Sequence, residues 1–176
     1  MPELPPLTDA DHAAGRPDAP VTLVQYGDFE CPYSKDVHDL VRDIRERHPD
    51  GVRFAFRHFP LRPHPNALHA AVAAEAAARQ GGFWRLHDRM YAHPLRLRPD
   101  QLASHASEVG LDGEAVRAAV ASGEGADEVL TQKRAAIRAG VKTTLGLWID
   151  GEWFEEDDLE QAVIDRVIHR LRDLGR

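Results

Sequence analysis

The chain has 176 residues, with 22 Lys and Arg against 29 Asp and Glu, a formal charge of −7 and 43% hydrophobic residues. That length suits one domain with a well-buried core, and the acidic balance excludes nucleic acid as the main ligand, because no net basic field meets the phosphates. A single cysteine, Cys31, excludes an intramolecular disulfide framework, a four-cysteine zinc site and a two-cysteine redox cycle within the chain.

Residues 1–19 carry Pro, Asp and Gly without helical or strand periodicity and read as an arm ahead of a domain over residues 20–176. They lack a basic n-region followed by an apolar h-region, and no later stretch reaches the ~18–20 apolar residues of a membrane span. A cytoplasmic protein with no membrane part is therefore expected.

Val21 to Tyr26 is β-rich and apolar on both parities, as in a central strand covered on both faces, with Gln25 the exception. After Asp28-Phe29-Glu30-Cys31, the residues Val37, Leu40, Val41 and Ile44 fall at helical spacing, and Pro32 suits the first helical position, which makes Cys31 the N-cap. Pro49-Asp50-Gly51 breaks this helix. Val52, Phe54 and Phe56 then alternate along a second strand closed by Pro60. A parallel crossover through the helix is expected.

Helical patterns follow over 67–79, 83–91, 99–109, 112–121 and 126–139, punctuated by Gly81-Gly82, Pro94, Gly110, Gly123 and Gly140, which defines a helical insertion over about 62–140. Leu145 to Ile149 and Glu152 to Phe154 flank Asp150-Gly151, a pair suited to a type I′ hairpin turn. A last helix starts from an Asp157 cap and buries Val163, Val167 and Leu171. The layout is β-α-β, a helical block, then β-β-α.

A thiol at a helix N-cap faces the unpaired N–H groups of Tyr33 and Ser34 and the positive end of the helix dipole, both of which favour thiolate. The Ser34 hydroxyl is placed to add a hydrogen bond to the sulfur, whereas Glu30 opposes ionisation if it points inward. Cys31 as a small apolar side chain in a turn is the competing reading.

Phe29-Glu30-Cys31-Pro32-Tyr33-Ser34 resembles the active-site segment of thioredoxin-fold disulfide oxidoreductases related to disulfide-bond protein A (DsbA). Ala19 to Val24, Phe54 to Leu61, Ala74 to Ala77, Phe83-Trp84 with His87-Asp88, and Ile149 to Glu152 resemble segments of that family in the same order. The chain is also similar to thioredoxin-like domains fused to some bacterial sodium/proton antiporters. The resemblance implies an α/β, thioredoxin-like fold with a helical insertion and thiol-disulfide exchange at Cys31, Pro32, Tyr33 and Ser34.

The chain departs from the family pattern at three places. Ser34 replaces the second, resolving cysteine. Gln25 stands where the family usually has an acidic residue that helps deprotonate that cysteine. Thr143-Thr144-Leu145-Gly146 replaces Gly-Thr-Pro-Thr, whose cis proline lies against the sulfur and helps bind substrate. A cis bond before Leu145 would cost about 2.5–4 kcal/mol, so a trans bond and a reshaped substrate groove at Thr144 and Leu145 are expected.

Ordinary dithiol activity is therefore not expected, and two readings stand. One is a monothiol oxidoreductase acting through Cys31, with glutathione as co-substrate, no resident cofactor, and a thiol- or disulfide-bearing protein or glutathione as partner. The other is a redox-inactive binding module, using the cleft, a helical face or a homodimer surface.

Other residues point to chemistry less sharply. Ten histidines include no H-E-x-x-H, so no metal site is expected, with His58, His64 and His69 the nearest grouping. His58 and Arg57 are read as local hydrogen-bonding residues, His87 as packed with Phe83 and Met90, and His38 as solvent exposed. Glu155-Glu156-Asp157-Asp158 reads as a charged turn, and Trp148 and Trp153 as core or rim residues.

Overall fold

The structure, a computed structural model, describes residues 3–144, 146–154 and 159–174. Strands β1 (His12–Ala14), β2 (Val21–Gly27), β3 (Val52–His58), β4 (Leu147–Ile149) and β5 (Glu152–Phe154) form one sheet in the order β1-β3-β2-β4-β5. The seven helices among the described residues are α1 (Pro32–Arg47), α2 (Ala67–Ala78), α3 (Phe83–Ala92), α4 (Pro99–Glu108), α5 (Gly113–Ser122), α6 (Ala126–Arg138) and α7 (Leu159–Leu174).

The chain divides into two compact units. One comprises Met1–Tyr26, Asp36–Arg57 and Ala135–Arg176; the other comprises Gly27–Lys35 and His58–Arg134.

The first unit holds most of the sheet. β2 and β3 run parallel: the Val21 N–H donates to Gly51 O near their starts and the Phe59 N–H to Gly27 O near their ends. β4 pairs antiparallel with β2, setting Val24 opposite Trp148, and β5 pairs antiparallel with β4. The Asp150-Gly151 turn has φ of 50° and 84°, the two left-handed residues that a type I′ turn requires. Val37, Leu40, Val41 and Ile44 of α1 are buried, as their spacing demands. Of the α7 residues expected in the core, Val167 is buried and Leu171 half-buried, while the Val163 side chain and the Asp157 cap lie outside the described residues.

Two features of this unit differ from the sequence pattern. His12–Ala14 forms an edge strand, its register setting Ala13 opposite Ala55. Three residues are too few to show periodicity, and what holds them is tertiary. The buried Arg57 guanidinium donates to both carboxylate oxygens of Asp11 at 2.6 and 2.9 Å, to the carbonyls of Pro5 and Pro6, and to the Tyr26 hydroxyl. His38 is the second difference: it is buried, because it falls with Ser34, Val37, Val41 and Ile44 on one stripe of α1.

The second unit is built around α2, whose residues Ala67, Ala70 to Ala74, Ala76 and Ala77 are buried almost all round. Small side chains let neighbouring helices approach α2 on several sides. Phe83, Leu86, His87, Met90 and Tyr91 form the inward stripe of α3, so His87 is a packed residue. The α5 helix is capped by Asp112, whose carboxylate accepts from the Ala115 N–H, and ends at Gly123 in the left-handed region.

Candidate functional site

Cys31 stands immediately before α1. Its N–H donates to Asp28 O and its carbonyl accepts from the Lys35 N–H, which is the N-cap position that Pro32 at the first helical residue predicts. Its side chain is only 5% exposed, while Pro32 and Tyr33 project outward, Tyr33 at 55% exposure.

The loop carrying Cys31 is pinned from below by Phe29, which is buried among the rings of Tyr91, His87 and His58 at centroid separations of 5.0, 5.5 and 6.0 Å. It is pinned from the side by two carboxylates. Asp28, whose side chain is fully buried, accepts from the Glu30 N–H at 2.8 Å, from the Leu61 N–H at 2.8 Å and from His64 Nδ1 at 2.7 Å. Glu30 accepts from the N–H and the side-chain amide of Asn66 at 2.7 and 3.0 Å. Glu30 is thus turned toward the loop after β3, where it satisfies the donors of Asn66 at the start of α2.

Ser34 is fully buried one turn into α1. Its hydroxyl accepts from the Asp28 N–H at 3.1 Å. Burial pushes the Tyr91 phenol well above its ordinary value, with the charges of Asp28 and Cys31 adding to that. Tyr91 therefore stays neutral.

Around Cys31 and Ser34 the structure sets three residues that the sequence pattern does not assign to the thiol site: Asp28, His64 and Tyr91. Asp28 and His64 lie 36 positions apart, a spacing with no local signature. Tyr91 shares a helical stripe with Phe83 and Met90 and reads as core. His58, in the same unit, meets Glu75 at 2.9 Å through Nε2 and donates its N–H to Gln132. Beside the thiol loop opens a cleft of about 340 Å³, bordered by Glu30 and Pro32, by Lys35 and Asn66, and by Leu95 and Arg98.

The remaining positions belong to the first unit. Gln25 and Thr144 are buried there at 0% and 1% exposure. Leu145 lies outside the described residues, as does the acidic run 155–158.

A thiol at the N-terminus of the helix following a sheet strand, in a sheet interrupted by a helical block, defines the thioredoxin-like class with a DsbA-type insertion. A family model described as Thioredoxin matches residues 7–168, and the chain belongs to that family. The solved structures it resembles include oxidised BdbD from Bacillus subtilis, at a TM-score of 0.81 and 19% identity, covering 91% of this chain and 92% of that one. Wolbachia pipientis alpha-DsbA1 aligns at 0.79 and 18% identity over 96% of both chains. Among curated relatives, the Na(+)/H(+) antiporter NhaA 3 of Salinispora tropica is 41% identical over 144 residues, covering 81% of this chain and 22% of the relative. The Na(+)/H(+) antiporter NhaA of Herminiimonas arsenicoxydans is 35% identical over 148 residues, covering 84% of this chain and 24% of the relative. The chain thus spans less than a quarter of these relatives' length, and no helix among its described residues is long and apolar enough to cross a membrane.

Proposed function

We propose that the chain is a monothiol thiol-disulfide exchange protein with Cys31 as its nucleophile. The observation that carries this reading is the N-cap placement of the only cysteine, with a serine rather than a second thiol one turn along the helix. The thiolate is the species that attacks a disulfide. Pro32, which has no N–H to leave unpaired, starts the helix, and Tyr33 and Ser34 supply first-turn N–H groups to the sulfur's side.

In the reaction, the Cys31 thiolate attacks the glutathione sulfur of a glutathione mixed disulfide. The old S–S bond breaks, its electron pair leaves on the partner's sulfur, and a Cys31–glutathione disulfide forms. With no second cysteine in the chain, an external glutathione thiolate then attacks that disulfide, giving oxidised glutathione and free Cys31. The net change converts one mixed disulfide and one glutathione into a free thiol and oxidised glutathione, so no resident cofactor enters. The need for an external thiol points to a glutathione-containing, reducing compartment such as the cytoplasm, and to thiol- or disulfide-bearing proteins as partners.

Turnover of a glutathione mixed disulfide that disappears in Cys31→Ala supports this reading, and equal rates in the two proteins overturn it. One observation favours a second reading, a redox-inactive binding module: Cys31 is only 5% exposed. Iodoacetamide alkylation followed by intact mass separates the two. Fast modification at neutral pH fits an attacking thiolate, and a thiol that resists modification until the protein unfolds fits the binding module.

A further inference from the structure

We infer that the cleft beside the thiol loop is a binding site for glutathione, holding its two carboxylates with Lys35 and Arg98 and its ammonium with Glu30. The inference rests on the thiol-exchange reading above and names the place where the co-substrate of that reaction is held.

The cleft of about 340 Å³ lies wholly within the second unit, between the thiol loop and the segment that joins α3 to α4. Its volume falls in the range of about 300–1,000 Å³ usual for small-ligand sites. Glu30 and Pro32, the residues before and after Cys31, both line it. Consecutive Cα atoms are about 3.8 Å apart, so Cys31 stands at that distance from two residues of the cleft wall. A ligand in the cleft therefore lies against the residues on both sides of the thiol.

The other wall is a preformed turn. The Arg96 N–H donates to His93 O at 2.9 Å, with Pro94 at the second position, where its fixed φ suits a turn. Leu97 beyond it is buried, and His105 Nε2 meets Arg96 O at 3.0 Å, so the turn is anchored from within. At its tip Leu95 is 95% exposed, the most exposed large apolar side chain among the described residues. With Pro32 and Pro94 it gives the cleft an apolar lining that gains from being covered.

The charged side chains of the cleft are two cations, Lys35 and Arg98, and one anion, Glu30. Glutathione at neutral pH carries the inverse set, two carboxylates and one ammonium. A wholly acidic peptide would meet Glu30 as a repulsive charge, so the complement selects glutathione. Asn66 holds Glu30 in place through its N–H and its side-chain amide at 2.7 and 3.0 Å, and each carboxylate oxygen keeps a lone pair for a further donor. The exposed Arg98 lies 3.5 Å from the exposed Asp100, a pairing too weak to compete with a ligand. In a chain of charge −7 a cationic pair here is a local feature and not part of a general attraction for anions. The site adds recognition to the exchange step and changes none of its bonds.

The test uses S-methylglutathione, which has the charges of glutathione and no thiol, so that binding is read apart from exchange. Calorimetric titration of the wild-type protein should show saturable binding that weakens with salt and is at least about tenfold tighter than for the same ligand with both carboxylates esterified. Lys35→Gln combined with Arg98→Gln should weaken S-methylglutathione by at least about tenfold, and should lower by a similar factor the ratio of exchange rates for oxidised glutathione over the uncharged hydroxyethyl disulfide. No saturable binding, equal binding of acid and ester, or an unchanged ratio overturns the inference. So does a capped acidic peptide that binds where S-methylglutathione does not, which assigns the cleft to a protein partner. Binding as expected in a protein whose exchange is no faster than that of Cys31→Ala supports the site and overturns the thiol-exchange reading, and exchange without binding does the reverse.

Discussion

The indole of Trp153 lies where a side chain on Gly146 would have to be: a β-carbon at Gly146 would overlap Cη2 and Cζ3 of that ring. Trp153 in turn packs edge-on against the buried Trp148 at 4.3 Å. The departure of this segment from Gly-Thr-Pro-Thr thus has a packing cause at its last position. Gly146→Ala is expected to destabilise the fold by about 1–3 kcal/mol, the cost of overpacking. In a Trp153→Leu background the same substitution should cost less than half as much. Urea denaturation of the four proteins checks this, and additive losses would remove the packing explanation.

Much of this fold is legible in the sequence because its signals are local. The five helices of the insertion follow from Gly and Pro punctuation and from Ala-rich or amphipathic spacing, and the hairpin from Asp150-Gly151. Cys31 at an N-cap follows from Pro32 alone. The rest is set by contacts distant in sequence. The strand His12–Ala14 depends on Arg57, more than 40 residues away, and the pairing of Asp28 with His64 depends on where the loop after β3 returns. Polarity alone assigns His38 to solvent, although its position on the helix puts it inside.

Arg57 and Asp11 anchor the arm, and both side chains are under a tenth exposed. Burial raises the Asp11 carboxyl, but the Arg57 hydrogen bond and charge and the Thr8 donors outweigh it and hold the group below its ordinary value of 3.8. A carboxyl depressed in the folded state contributes stability above its unfolded value, and loses it as pH falls through the folded one. Asp11→Asn should therefore lose about 3 kcal/mol at pH 7, leaving a buried guanidinium without its counter-charge. The gap between variant and wild type should narrow below pH 3.8, where wild-type Asp11 takes up its proton. Urea midpoints at neutral and acid pH measure both, and a gap independent of pH would contradict the assignment.

Ser34→Cys recreates a two-cysteine motif, but in a site shaped around an oxygen. The serine accepts from the Asp28 N–H at 3.1 Å, and a thiol is a weaker acceptor for it. The reduced variant should be less stable than wild type by about 1 kcal/mol. On oxidation it should lose two hydrogens by intact mass, through a disulfide within the chain between Cys31 and the introduced thiol. A variant that forms only intermolecular disulfides would show that the two side chains are not brought together.

His105 is buried in α4 with Nε2 at 3.0 Å from the Arg96 carbonyl, and it stacks on His93 at 5.3 Å. That carbonyl fixes the proton on Nε2, so titration occurs at Nδ1. Burial lowers the group and the Arg89 charge adds to that; the Arg96 carbonyl and Glu108 oppose it, and the net direction is below its ordinary value of 6.5. A histidine lowered in the folded state contributes stability above its unfolded value. That contribution declines as pH falls from 6.5 toward the folded value, because the unfolded chain takes the proton first. His105→Gln keeps an N–H toward Arg96 without titrating. The stability of wild type relative to this variant should therefore fall between pH 7.5 and pH 5, by about 1 kcal/mol or less. Paired urea titrations cancel the other histidines common to both proteins. A difference that stays flat across the range would mean that His105 is charged as readily inside the fold as in the unfolded chain.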